Sequence, residues 1–529
     1  LVADRALDTH DAAVERHLRR LLDAQLIEPT GHEGLLRFRH VLMRDAAYRS
    51  QLTGDLRARH LATAEVLRDA RAADPALTAF HFDRGGRPLD ALVSYLQAVD
   101  RARATGSFAE VFAHLQRCEA LLTALPDETI RAQFELAVRF NRGLAVSSTA
   151  GYAAPGAVED FGWARDLCER LSHVSGIGTE LLKALLGLWT YYCARGELDT
   201  AADVSSAIEH QLDRTPMRAG RPSLDACRGV EAFYRGDLPR ARNLLSRAVA
   251  GFAEGDVDPA DWPLPNDPLA AACAFLGPLR FLTGDVAGAL QAIDTGVRRS
   301  QPLEFPRGPF SVAFVRTFAA VLYRLRDDPT AAVVAAEEVI ELGDRHGFFD
   351  WQLAGRMQHG AARVMVDPSP EALAELEEAI ATWCAVGGEV LVPWLRVEQA
   401  GGHLARGDLD MAAACLDEAF RSMEGGQRLG LPEALRLRAQ LRLRSDSPAR
   451  AQAHDDLRQA IGVARAQGNV YTMLRAALAH RRAFPREGDE LVDAALAEAV
   501  AAYGDATAFP DLVAARELVA AGSTDVKLG

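Results

Sequence analysis

Residues Gly229 to Ala248 read as two antiparallel helices meeting at Gly236-Asp237, and the same pattern returns along the chain. The turn residues Gly196, Gly236, Gly284, Asp327 and Gly407 set a common register. Seven residues before them stand Gly229, Gly277, Ala320 and Ala400, with Trp189 as the exception. Two residues after come Leu198, Leu238, Val286, Pro329 and Leu409, and five after come Ala201, Ala241, Ala289, Ala332 and Ala412. Small, turn, apolar, small is a packing code for helical hairpins that stack on their neighbours, which no single compact core would impose. A second series, Gly347, Gly387, Gly430 and Gly468, follows amphipathic runs where a left-handed C-cap favours glycine. Its spacing of about 40 residues lies in the range of helical-repeat solenoids.

An array also accounts for the length. A chain of 529 residues that is 49% hydrophobic exceeds one core, whereas stacked repeats escape surface-to-volume limits. All but two of the 59 Lys+Arg residues are Arg, the lysines being Lys183 and Lys527. A net charge of −14 argues against nucleic acid as a bulk partner. The seven cysteines are scattered without a Cys-x-x-Cys, the usage of small core residues in a reducing compartment. No apolar run approaches about 18 residues and no signal-peptide pattern opens the chain, so a cytoplasmic protein that does not enter a membrane is expected. Leu1 opens in mid-pattern, and a preceding segment is expected.

The first sixty residues differ from the array. Asp11 to Gln25 is an amphipathic helix with Val14, Leu18, Leu21 and Leu22 on one side. Leu26-Ile27, a Gly31-His-Glu-Gly34 turn and Leu35 to His40 then read as a β-hairpin. A helix followed by a two-strand wing is a winged-helix arrangement. Ten Arg against nine Asp+Glu in these sixty residues leave no basic face, which argues against direct DNA binding.

Phe38-Arg-His-Val-Leu-Met-Arg-Asp-Ala-Ala-Tyr48 resembles the segment closing the winged-helix domain of STAND ATPases, the signal-transduction class that includes MalT-like regulators and NB-ARC proteins. NB-ARC members read Met-His-Asp-Leu-Leu-Arg-Asp there, and their histidine contacts the ADP phosphate. The resemblance places that role on His40, with Leu42, Arg44 and Asp45 agreeing and Val41 departing from the family's Asp. An imidazole at a strand end can donate to a phosphate and lose the contact when domains separate. It can equally bond a neighbouring carbonyl.

Further on, His81, Gly85-Gly86, Ala91, Tyr95 and Ala124-Leu125-Pro126 are similar to the STAND and LuxR-type pattern. His81 with Asp83 lacks a third metal ligand at helical spacing, and a buried, satisfied histidine is the plainer reading. A helix to about Val146 and another from Ala157 to Leu171 flank the loop Ser147 to Pro155. The repeats, with Tyr192 and Tyr323 in place, resemble degenerate tetratricopeptide units. Leu188 to Leu198, Asn266-Asp-Pro268, His346-Gly347 with Trp351, and the closing stretch Ala501 to Arg516 look like the sensor region of bacterial ATPases fused to a class III adenylate cyclase or a LuxR-type helix-turn-helix. No such helix-turn-helix follows. Prolines interrupt the array at Glu254 to Pro268 and Ser300 to Pro309, either as recognition loops or as tolerated insertions.

Catalytic motifs are absent: there is no Gly-x-x-x-x-Gly-Lys-[Ser/Thr], His-Glu-x-x-His, Gly-x-Ser-x-Gly or Gly-x-Gly-x-x-Gly after a strand. No enzyme activity, metal or cofactor is expected of this chain itself, with ATP or ADP and Mg only on an upstream ATPase domain. The tetratricopeptide register, carried over residue by residue, puts Lys183, Phe233, Tyr234, Phe281, Phe314, Arg324 and Trp394 on the concave face, although each aromatic also suits the inter-repeat core.

The expected organisation is all-α: a winged-helix-like domain over 1–53, incomplete at its start, connecting helices and first hairpins over 54–126, and a tetratricopeptide-like superhelix over 127–529. The resemblance implies the sensor region of a STAND-type ATPase. It would bind a protein, peptide or small-molecule effector, couple it to an upstream nucleotide-binding domain of the same polypeptide, and homo-oligomerise on activation. A stand-alone scaffold for a protein partner, or part of a transcriptional regulator, is the alternative.

Overall fold

The computed structural model describes residues 11–30, 36–69, 74–214, 220–254, 262, 264–445, 449–486, 488–504 and 508–525. The expected Gly31–Gly34 turn, most of the Glu254–Pro268 interruption and Lys527 lie outside them. The protein is all-α, and its one sheet among the described residues pairs Ile27–Pro29 antiparallel with Leu36–Phe38, Ile27 opposite Phe38. No helix among the described residues is long and apolar enough to cross a membrane. Contacts divide the chain into two units, Leu1–Asn141 and Arg142–Gly529.

In the first unit, helix Asp11–Asp23 leads into the hairpin and helix Val41–Arg49 leaves it. None of the residues of Val41–Arg49 is buried, and Leu42 and Leu52 are 77% and 74% exposed. Helices Pro75–Arg84, Pro88–Ala104 and Phe108–Leu122 then pack through Ala79, Phe82, Ala91, Leu92, Val111 and Leu115.

The second unit is the hairpin array. Its turn residues take positive φ, with Gly196 at 71°, Gly236 at 84°, Gly284 at 96°, Gly407 at 86°, and even Asp327 at 61°. The small positions seven residues earlier are close crossings: a Cβ on Gly229 would meet Leu245 Cγ at 2.7 Å and its backbone N at 3.2 Å. Leu198, Leu238, Ala201, Ala241, Ala289, Ala332 and Ala412 are fully buried. This is the tetratricopeptide-like superhelix that the repeat code implied.

Two details differ from expectation. Helix Glu128–Ala150 runs through the stretch read as the start of a loop at Ser147, because Ser148 and Thr149 return their hydroxyls to Leu144 O and Ala145 O and leave no competing turn. Gly430 is not a left-handed cap. It has φ −80° and starts helix Leu431–Arg444, while the positive φ falls on Gly426 at 97°. The chain there is diverted so that Leu429 N donates to Tyr234 O at 3.2 Å.

That bond belongs to a set. Ala194 O accepts from Glu389 N at 3.0 Å and Val390 N at 3.1 Å, and Phe281 O accepts from Tyr503 Oη at 2.8 Å, 222 residues away. Ala194, Tyr234 and Phe281 lie in the last two residues of first helices of hairpins, where carbonyls lack an intrahelical partner, although Phe281 O also accepts from Gly284 N in its turn at 3.1 Å. Gln427 and Gln467 pack against the Gly196 and Gly236 turns, where a Cβ would strike their amides. Each superhelical turn therefore docks on the one before.

Gly229→Ala should destabilise the second unit by about 1–2 kcal/mol in urea unfolding, because overpacking against Leu245, at its Cγ first and its backbone N behind, exceeds the helix propensity regained. Gly462→Ala, in helix Arg450–Gln467 with nothing within 4 Å of the added carbon, should instead stabilise by about 0.5–1 kcal/mol.

Candidate functional site

Winding the first helices inward gives the second unit a lined interior. Helices Ile177–Ala194, Gly220–Arg235, Pro268–Leu282, Arg307–Leu325 and Phe349–Val366 line a partly open chamber of about 170 Å³. Its walls carry Tyr152, Trp189, Tyr234, Trp262, Phe275, Phe314, Phe318, Trp351 and Trp383, and Asp350 is its single charged residue. Rings meet edge to face, with centroids 5.1 Å apart for Phe314–Trp351 and 5.8 Å for Tyr234–Phe275, while Phe275–Phe318 is a tilted contact at 4.3 Å.

Asp350 lies in the first turn of helix Phe349–Val366. Its Oδ2 accepts from Tyr152 N at 2.9 Å, a contact that spans 198 residues. Gly151, at φ 94°, makes this possible, since a Cβ there would strike Oδ1. Oδ1 itself has no hydrogen-bond partner, nor do the Nε1 groups of Trp262, Trp351 and Trp383. Burial pushes the carboxyl up to about 7, against the pull of the Tyr152 N–H. Tyr152 Oη donates to Asn266 Oδ1 at 3.2 Å.

Trp189, the exception to the small-residue code, is placed by its own partner: Nε1 donates to Glu231 Oε1 at 2.8 Å, which also accepts from Ser205 Oγ. Burial raises Glu231 above the ordinary carboxylate range. The buried Cys193 and Cys227 thiols in the same wall are also pushed up by burial.

Arg324 and Gln358 separate this chamber from a second hollow. Arg324 Nη1 donates to Gln358 Oε1 at 2.6 Å and Nη2 to Glu398 Oε1 at 3.3 Å, where Trp394 Nε1 also donates at 2.8 Å. Beyond lies a larger groove of about 550 Å³ lined by Asp327, Glu398, Glu433, Arg436, Arg475 and Asp511. Burial opposes ionisation of Glu433, but Arg436 and Arg475 outweigh it and hold the carboxyl at about 2. Arg475 bridges Glu433 at 2.9 Å and Asp511 at 3.4 Å, so these charges are internally matched.

The positions expected on the concave face thus separate. Tyr234 and Phe314 line the chamber, and Arg324 and Trp394 line the groove. Phe281 lies instead in the core against Tyr471, Tyr503 and Phe509, and Phe233 is buried against Tyr234 and Phe275. Lys183 is mostly buried and pairs with Glu180 at 3.1 Å. Asp350, Trp262, Trp351 and Trp383 went unnoticed in the sequence as a set, because contacts across superhelical turns leave no periodic signal.

In the first unit, His40 is exposed at the strand-to-helix junction. Its backbone O accepts from Met43 N and Arg44 N, and its side chain does not cap the helix. His81 and Asp83 do not converge: His81 Nδ1 faces His60 Nδ1 at 2.9 Å, and Asp83 pairs with Arg117 at 2.6 Å. Burial lowers both imidazoles, with Arg84 adding to the effect at His60 and His60 at His81. In the second unit the ligating atoms of His454, His480 and Asp489 lie within 4.8 Å of one another, but Arg458 and Leu491 N already occupy the carboxylate.

No family model matches the chain, and no curated protein matches it. Among solved structures it is similar to a Rap protein complexed with Competence and Sporulation Factor, at 13% identity and TM-score 0.45, over 77% of this chain and 99% of that one. It is also similar to the STAND protein with a tetratricopeptide repeat sensor PH0952 from Pyrococcus horikoshii, at 12% identity and TM-score 0.41, over 79% of this chain and 59% of that one. A third likeness is to the apo quorum sensor NprR from B. thuringiensis, at 11% identity and TM-score 0.35, over 78% of this chain and 99% of that one.

The buried carboxyl has a definite pH signature. Its folded-state value lies above the unfolded one, so the folded state holds the extra proton and loses stability as pH rises from about 4 to about 7, then levels off. Asp350→Asn, which keeps an acceptor for Tyr152 N–H, should therefore raise stability at pH 8 by about 2–4 kcal/mol and leave it nearly unchanged at pH 4, read by urea unfolding at each pH.

Proposed function

We propose that the chain is the sensor region of a STAND-type signal-transduction ATPase, with its effector bound inside the superhelix. One observation carries this reading: the array leaves an aromatic chamber in whose walls buried polar atoms of Asp350, Trp262, Trp351 and Trp383 lack partners. A scaffold requires no such interior, since buried polar groups without partners are costly unless something supplies them.

Helix Val41–Arg49 supports coupling to a nucleotide-binding domain upstream in the same polypeptide. It buries none of its own residues and presents Val41 and Leu42 to solvent, beside the exposed His40. In this reading His40 meets the nucleotide phosphate, and effector binding biases the winged-helix region between two arrangements. ATP or ADP with Mg belongs to the upstream domain, and homo-oligomerisation follows activation. Which output domain the polypeptide carries, cyclase or other, is a property of the longer protein.

The test is the mass and peptide map of the native gene product. A product much larger than 57.2 kDa, with peptides containing a phosphate-binding loop ahead of Leu1, is expected. A native chain beginning near Leu1 would contradict the reading and favour the scaffold. In the longer protein, His40→Ala should alter ADP retention or basal activity; unchanged nucleotide affinity, exchange and activity would remove His40 from the site.

A further inference from the structure

We infer that the chamber binds a small organic cation, an amine or quaternary ammonium, with Asp350 as its counter-charge. This rests on reading the superhelix interior as the effector site and adds the chemistry of the effector.

Charge is the first argument. Nine aromatic side chains and one carboxyl line the chamber, with no Arg, Lys or His among them. The other titratable groups facing it are Tyr152, Cys193, Cys227 and Tyr234, all driven further toward their neutral forms by burial. His346 packs against Phe305 and Phe348 and does not line the space. An ionised Asp350 therefore has a single backbone N–H for company and an oxygen with no partner. A buried carboxylate calls for a positive partner, and the protein supplies none.

Geometry is the second. Asp350 is flanked by Trp351 on its own helix and by Tyr152, whose N–H it accepts. Phe314 lies 5.1 Å from the Trp351 ring, and the buried Phe310 backs the wall, 5.0 Å from Trp351 and 6.0 Å from Tyr152. The aromatic lining attracts a desolvated cation, and the charge of Asp350, set just behind that lining with Oδ1 against Gly151 and Oδ2 on Tyr152 N, favours a cation there over an anion or a hydrocarbon. A space of about 170 Å³ suits a compact head group.

The whole chain is titrated with choline and with 3,3-dimethylbutan-1-ol, its uncharged carbon isostere, following tryptophan fluorescence, since four of the six tryptophans line the chamber. Choline should bind saturably and at least about tenfold more tightly than the alcohol. Its charge is independent of pH, so its affinity should fall about tenfold from pH 8 to pH 6 as Asp350 protonates. Asp350→Asn, checked for folding by circular dichroism, should lose the preference for choline while the affinity for the alcohol stays within about twofold. Equal binding of the two probes, or choline binding that survives Asp350→Asn, would overturn the cation but leave an interior effector site. Binding of neither probe would overturn the inference as well, and the native peptide map decides the sensor reading independently.

Discussion

The structure of the array depends on helix-end carbonyls that are satisfied by chain far downstream. A helix leaves its last carbonyls without intrahelical partners, and in an open solenoid water takes them. Here Ala194 O, Tyr234 O and Phe281 O are met by Glu389 and Val390, by Leu429, and by Tyr503. Those bonds bring one superhelical turn onto the next. The hairpin glycines serve twice, since Gly196 and Gly236 take positive φ and also leave room for Gln427 and Gln467 of the following turn.

Closure determines the interior. Where first helices carry small residues they pack tightly, and where they carry aromatics they hold a space open. Trp189 replaces the small residue of its register, and Phe275, Phe314 and Trp351 face it from later repeats. Arg324 and Gln358 divide that space from the groove beyond, whose charges pair among themselves around Glu433 and Arg475. The groove is thus electrostatically satisfied, while the chamber carries a buried carboxyl that is not. This contrast, rather than size, makes the smaller hollow the site.

Much of this is legible in the sequence alone. The turn register predicted the hairpin turns at Gly196, Gly236, Gly284, Asp327 and Gly407, because φ preference and close packing are local and leave a periodic mark; the Asp367–Ser369 turn, with Asp367 at φ −148°, carries no such mark. The hairpin after Asp11–Asp23 was legible from the apolar runs that flank its turn. What escaped was set by distance in sequence. Gly430 matched the glycine series but follows the path dictated by Leu429 reaching Tyr234, and Phe281 was claimed by Tyr503. Asp350 gave no motif, since its partner Tyr152 stands 198 residues earlier. One clue was present and passed over: Trp189 was the exception to its own register, and it marks the chamber.

Amide hydrogen exchange at Val390 and Leu429 tests the closed superhelix most directly. Both lie outside regular helical hydrogen bonding and donate instead to Ala194 O and Tyr234 O. If the turns are docked, these amides exchange only through openings near the global unfolding free energy, alongside those inside the Pro268–Leu282 helix. If they exchange as fast as exposed turns while the helices stay protected, the superhelix is open, and the chamber that the functional reading relies on does not exist.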